Sequence, residues 1–123
     1  MVRILSLDLG MKRTGVAFFD EQTNIPLPLT TLVHADDHDL VQQIIALARV
    51  RSVDRLLVGL PLLPSGTEGS QAKWVHTIVE QLTTNGFTVS LLDERFSTPI
   101  DHKSDPDAFA ALNLLQIAIK RGI

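Results

Sequence analysis

No cysteine occurs in this chain of 123 residues, so neither a disulfide scaffold nor a thiolate zinc site is open to it. No apolar run approaches the roughly 20 residues that cross a bilayer. The first residues also lack the basic, apolar and small-residue order of a secretion signal. A cytoplasmic protein without a membrane partner is expected. Positive charge is not in excess either: 11 Lys and Arg stand against 14 Asp and Glu, for a formal net charge of −3. General nucleic-acid binders usually carry a basic excess. Contact with nucleic acid would therefore rest on local cations, helped by metal ions that cancel nearby carboxylates. What is present is ordinary for a globular domain, with 45% hydrophobic and 20% charged residues. That length predicts one domain over 1–123 with a single core, too small for two lobes around a nucleotide.

Apolar runs alternate with helical periodicity along the chain. Residues 2–7 and 15–19 read as two neighbouring strands, and 27–33 as a third, which Pro28 pushes towards a sheet edge. Asp36, Asp37 and Asp39 suit the cap of a helix with Leu40, Val41, Ile44, Ile45 and Ala48 on one face. The continuous run at 55–60 is that of a central strand covered on both sides. A loop at 64–69 precedes a helix with Ala72, Val75, Ile78, Val79 and Leu82 inward, stopped near Asn85-Gly86. Residues 89–92 form a fifth strand, and Asp105-Pro106 supplies the cap and first-turn proline of a last helix. Three strands followed by helix–strand–helix–strand–helix predict an α/β layout, a mixed sheet covered by helices.

Asp8 is the most informative residue. An apolar strand runs into it just before Gly10, and a carboxylate emerging from a core is costly unless hydrogen-bonded, paired or metal-bound. Asp93 and Glu94 end the fifth strand in the same way; strand neighbours face opposite sides, so only one of them can easily join Asp8. Asp107 begins the inner face that continues through Ala111, Leu114, Leu115 and Ala118. Each acid alone has a plain structural role: a turn opener at Asp8, a surface pair with Arg95 for Asp93 and Glu94, and a favourable charge against the helix dipole at Asp107. As a set they point to metal-dependent phosphoryl chemistry. Clustered carboxylates repel unless a cation sits among them, and hard divalent ions take oxygen ligands. Two such ions about 3.5–4 Å apart can activate water and stabilise the leaving oxygen of a phosphodiester.

The turn Gly10-Met11-Lys12-Arg13-Thr14-Gly15 sets two cations beside Asp8, where Lys12 and Arg13 could hold a phosphate or simply tip a solvated hairpin. Gly66-Thr67-Glu68-Gly69 before a helix could offer N–H groups to an anion, which makes Thr67 a substrate-binding candidate. It lacks the Walker pattern, and a capped helix start explains it equally well. Arg95 could neutralise a phosphate or pair with Asp93. Trp74, the single tryptophan, is expected to be partly buried rather than to stack on a base. His34, His38, His76 and His102 show no metal-ligand spacing and read as surface or loop residues, with His102 a candidate helper near the site.

Five segments occur together in order: Leu7-Asp8-Leu9-Gly10-Met11-Lys12-Arg13-Thr14-Gly15-Val16-Ala17, Val58-Gly59-Leu60-Pro61-Leu62, Gly66-Thr67-Glu68-Gly69, Asp93-Glu94-Arg95-Phe96-Ser97-Thr98 and Asp107-Ala108-Phe109-Ala110-Ala111-Leu112-Asn113-Leu114-Leu115-Gln116. The chain thereby resembles, nearly end to end, the YqgF (RuvX-like) family, whose members are named as Holliday-junction resolvases and small-subunit rRNA precursor nucleases. The resemblance implies a ribonuclease H-like fold with a mixed five-stranded sheet, and cleavage of structured nucleic acid with Mg²⁺ or Mn²⁺. It implies Asp8, Glu94 and Asp107 as the acidic triad and metal ligands, with Asp93 left possible. It also suggests phosphate or RNA contacts from Lys12, Arg13 and Arg95. Two departures stand out. Leu9 replaces the family's usual aromatic residue, and only 96–106 remains of a longer basic segment, with Lys103 its one lysine or arginine.

The expected function is metal-dependent endonuclease action, foremost in processing the 5′ end of the small-subunit rRNA precursor, by a monomer or homodimer. The alternatives are resolution of Holliday junctions and a non-catalytic, nucleic-acid-binding ribosome-assembly module, which the short 96–106 segment favours. Asp8-Leu9-Gly10 followed by Gly15 also echoes the first phosphate loop of actin-like phosphotransferases, for whose two lobes the chain is too short.

Overall fold

The computed structural model describes residues 2–94 and 106–122. Its elements follow in the order β1 (Arg3–Asp8), β2 (Arg13–Asp20), β3 (Ile25–Val33), α1 (Asp37–Val50), β4 (Arg55–Leu60), α2 (Ser70–Thr84), β5 (Thr88–Asp93) and α3 (Pro106–Lys120). Strands lie in the sheet as β3-β2-β1-β4-β5. The first three form antiparallel hairpins, while β4 runs parallel to β1 and β5 parallel to β4. Short turns suffice for the antiparallel part, whereas each parallel neighbour is reached through a helical crossover. This is the mixed five-stranded sheet expected from the sequence.

Strand alternation sorts the core into two layers. Leu5, Leu7, Val16, Leu56 and Val58 pack against α1 and α2, together with Leu40, Ile44, Val75, Ile78 and Leu82. Ile4, Ala17, Phe19, Leu57 and Leu92 face the other way, onto Ala111, Leu114, Leu115 and Ala118 of α3. Each fully buried aliphatic side chain contributes about 1.5–3 kcal/mol relative to exposure. Leu9 is buried with the first layer.

Local signals fix the ends. The Asp36 carboxylate accepts the Asp39 N–H at 2.8 Å, and the Asp39 carboxylate accepts the Ala35 N–H at 2.9 Å, a reciprocal cap for α1. The expected inner face of α1 is buried throughout. On α2 the inner face is Ala72, Val75, Ile78 and Leu82, while Val79 is only half-buried at its margin. That helix closes at Asn85, with Gly86 at φ +93°. The edge position expected for β3 is observed: Pro28 and Pro26 lie opposite Ala17 and Phe19, and the register slips between Val16 and Ala17. No helix among the described residues is long and apolar enough to cross a membrane.

Candidate active site

Asp8 is the last residue of β1, on the face that Ile4 and Ser6 present to α3. On β2 its partner is Gly15. On β4 the pair Leu7↔Val58 puts Gly59 next in line beside it. Two glycines therefore flank the carboxylate, and each makes room for another acid. A Cβ on Gly15 would overlap the main-chain carbonyl of Asp107, so the missing side chain lets the first turn of α3 lie directly on β2. A Cβ on Gly59 would collide with the Glu94 side chain, which crosses this bare stretch of β4. The start of α3 is held from below as well, because Ser6 Oγ donates to the Ala111 carbonyl, one turn past Asp107, at 2.7 Å.

Parity then separates the two acids at the end of β5. Leu92 is buried on the α3 side, so Glu94, two residues on, follows it while Asp93 does not. Glu94 and Asp8 are hydrogen-bonded through their carboxyl groups, which requires a proton between them. Burial, the Asp8 charge, that hydrogen bond and the nearby Asp93 push the Glu94 carboxyl up to about 8. Asp8 is also raised, first by burial and further by the negative charge of Asp107, against the hydrogen bond with Glu94. Both shifts favour a proton held between the two carboxyls, which titrate as a pair.

Asp107 completes the group electrostatically. Arg13 Nη2 lies 2.8 Å from Asp107 Oδ2, with the two side chains 59% and 32% exposed. The approach is ionic, without hydrogen-bond alignment, and Oδ2 has no hydrogen-bond partner among the described residues. Among those residues, no group of three or more acidic or histidine side chains is close enough to enclose a metal ion. The abutting Asp8 and Glu94 oxygens nevertheless suit a hard divalent cation, which would take the place of the shared proton.

The other sequence-derived candidates divide. Lys12 is exposed on the turn beside Asp8. Thr67 lies in the loop before α2, where its hydroxyl meets Ser65 Oγ at 2.8 Å and its carbonyl accepts the Leu63 N–H. No described contact links it to the acids. Arg95, His102, Lys103 and Asp105 fall outside the described residues, as does nearly all of the shortened 96–106 segment. Trp74 is half-buried as expected, its indole N–H donating to Asp37 Oδ1 at 3.0 Å. His34 corrects the expectation of a surface histidine: it follows β3 in a loop but is only 6% exposed. Its ring meets the buried Thr14 hydroxyl and its main-chain N–H the Lys12 carbonyl, a tertiary position that helical or strand periodicity does not reveal. Periodicity is equally silent on the roles of Gly15 and Gly59, although isolated glycines in strands signal close approach.

A mixed sheet in this order, with helices on both faces, is the ribonuclease H-like fold. RuvC from T. thermophilus, solved in complex with a Holliday junction substrate, has the same fold: TM-score 0.65 at 10% identity, covering 99% of this chain and 97% of that one. The chain belongs to the RuvX family, whose profile, described as Holliday junction resolvase, matches residues 2–121. A Chloroflexus aurantiacus protein named "Putative pre-16S rRNA nuclease" is 38% identical over 96 residues, 77% of this chain. The match spans 63% of that relative's length. A protein of the same name from Thermosynechococcus vestitus is 32% identical over 130 residues, covering 94% of this chain and 86% of the relative.

Proposed function

We propose that this protein is a divalent-metal-dependent nuclease that hydrolyses phosphodiester bonds in structured nucleic acid, with the small-subunit rRNA precursor as its substrate. The observation that carries the reading is the proton-sharing pair Asp8 and Glu94 with Asp107 beside it, anions gathered where a cation would relieve them. Relatives named as pre-16S rRNA nucleases support the substrate. Asp8 and Glu94 would hold Mg²⁺ or Mn²⁺ between them, with Asp107 drawn in as the third ligand, and the ion would supply activation of water and charge stabilisation at phosphorus. Asp8 and Glu94 would release their shared proton on taking up the ion. Arg13 can exchange the Asp107 carboxylate for a phosphate oxygen, an equally good partner for a guanidinium. Lys12 adds a second cation on the same turn. Arg95, next to Glu94 in sequence, and Thr67 extend the substrate contacts.

A second reading, resolution of Holliday junctions, is favoured by the description of the family profile. Cleavage of a labelled precursor rRNA fragment and of a four-way DNA junction, each with Mg²⁺, Mn²⁺ or EDTA, separates the two. Metal-dependent cutting of the precursor supports the first reading, and cutting of the junction alone supports the second. No cutting of either substrate with either metal would overturn both in favour of a non-catalytic binding module.

A further inference from the structure

Thr14 is fully buried at the start of β2, and His34 is nearly so just past β3. Buried polar side chains are costly unless their hydrogen-bonding groups are met. These two meet each other, with Thr14 Oγ1 and His34 Nε2 3.0 Å apart. The same hydroxyl oxygen accepts the Gly10 N–H at 3.5 Å. The main-chain N–H of His34 donates to the Lys12 carbonyl at 3.1 Å. The turn between β1 and β2 is thus held at Gly10 by Thr14 and at Lys12 by His34, and the two holders are bonded to one another. Burial lowers the His34 pKa, against the pull of Asp39 and Asp37, and so favours the neutral imidazole, which has one nitrogen able to accept. Nδ1 finds no hydrogen-bond partner among the described residues, which leaves the Thr14 contact to orient the ring.

The turn so held carries the exposed cations Lys12 and Arg13, and it begins two residues after Asp8. We propose that Thr14 and His34 are positioning residues, a buried clamp that aims Lys12 and Arg13 at a substrate phosphate beside the acidic pair. The proposal rests on the nucleic-acid reading above. It assigns the grip on substrate partly to side chains that never touch it.

The test uses the full chain and a fluorescein-labelled RNA stem-loop, with binding followed by anisotropy in EDTA across a salt series. Thr14→Val should weaken binding about tenfold, the scale of about one lost hydrogen bond to a charged group. It should also flatten the salt dependence, by about 0.7–0.9 for each phosphate that is no longer neutralised, the range from single strands to duplex DNA. Thr14→Ser, which keeps the hydroxyl, should restore both. In a Lys12→Ala, Arg13→Ala background Thr14→Val should add nothing, whereas a purely structural residue would cost the same in either background. If Thr14→Val does not fold, His34→Phe should show the loss and His34→Gln, with an amide able to reach the hydroxyl, should recover binding. Wild-type affinity in Thr14→Val and His34→Phe, with weakened binding in Lys12→Ala, Arg13→Ala, would overturn the clamp and leave the phosphate-binding turn standing. Wild-type affinity in all of them would overturn the turn and the clamp together. The clamp pattern in a protein that cuts no substrate would support the clamp and overturn only the nuclease reading.

Discussion

Gly15 of β2 lies directly beneath the main chain of Asp107, so closely that a Cβ would overlap the Asp107 carbonyl oxygen. The contact is backbone against backbone, and no flexible side chain can yield. Gly15→Ala should therefore lift the first turn of α3 off the sheet and cost about 1–3 kcal/mol or more as overpacking. Thermal melts would read the loss. Metal titration should show a weaker response too, because the displaced residue is one of the three acids. A variant as stable as wild type would mean that α3 starts further from β2 than described.

The Asp8 and Glu94 pair gives stability a pH dependence of definite sign. The Glu94 carboxyl ordinarily titrates at 4.5 and is pushed up to about 8 in the fold. Between those values the native protein holds a proton that the unfolded chain has released, so stability falls as pH rises. Below the lower value the difference vanishes, and above the upper one the loss is complete. Without metal, the melting temperature should decline from about pH 5 to pH 8, and Glu94→Gln should flatten the decline. With Mg²⁺ or Mn²⁺ the decline should shrink, because the cation takes the deprotonated form.

Asp8→Asn separates chemistry from fold. The amide can donate to Glu94 where Asp8 needs a proton to do so, and it removes one of the mutually repelling anions. Metal-dependent cleavage should be lost, while the melting temperature at neutral pH without metal should hold or rise. Unchanged cleavage by the purified variant would sink the catalytic role of Asp8.

Much of this architecture is legible in the sequence because its local signals agree. The inner face of α1, the run of β4 and the edge position of β3 each follow from periodicity or a proline, and tertiary packing has nothing to override. Glu94 against Asp93 is different. Alternation allows one of them on the α3 side, but which one depends on Leu92 belonging to the second core layer, a fact of packing. Gly15 and Gly59 act through what they leave empty, and a sequence does not say which chain will fill the space. His34 is hidden for a similar reason: its partner Thr14 lies 20 residues away and meets it only after β2 and β3 pair.

The turn cations set how the protein should grip nucleic acid. Arg13 is half spent on Asp107 at 2.8 Å, and Lys12 stands exposed beside it. With a net charge of −3, few phosphates can be neutralised at once. Each neutralised phosphate on duplex DNA adds about 0.9 to the slope of log affinity against log salt, so a shallow slope of about 2–4 is expected. Replacing Lys12 and Arg13 together by alanine should remove much of the affinity and lower that slope by about 2. The Asp8 and Glu94 pair should survive, since the described ion pair of Arg13 is with Asp107, and its pH-dependent melting serves as the control. Binding titrated across a salt series decides the matter. A wild-type slope near that of a protein gripping roughly six to ten phosphates would place the main grip on a basic surface other than this turn, such as one built across a dimer.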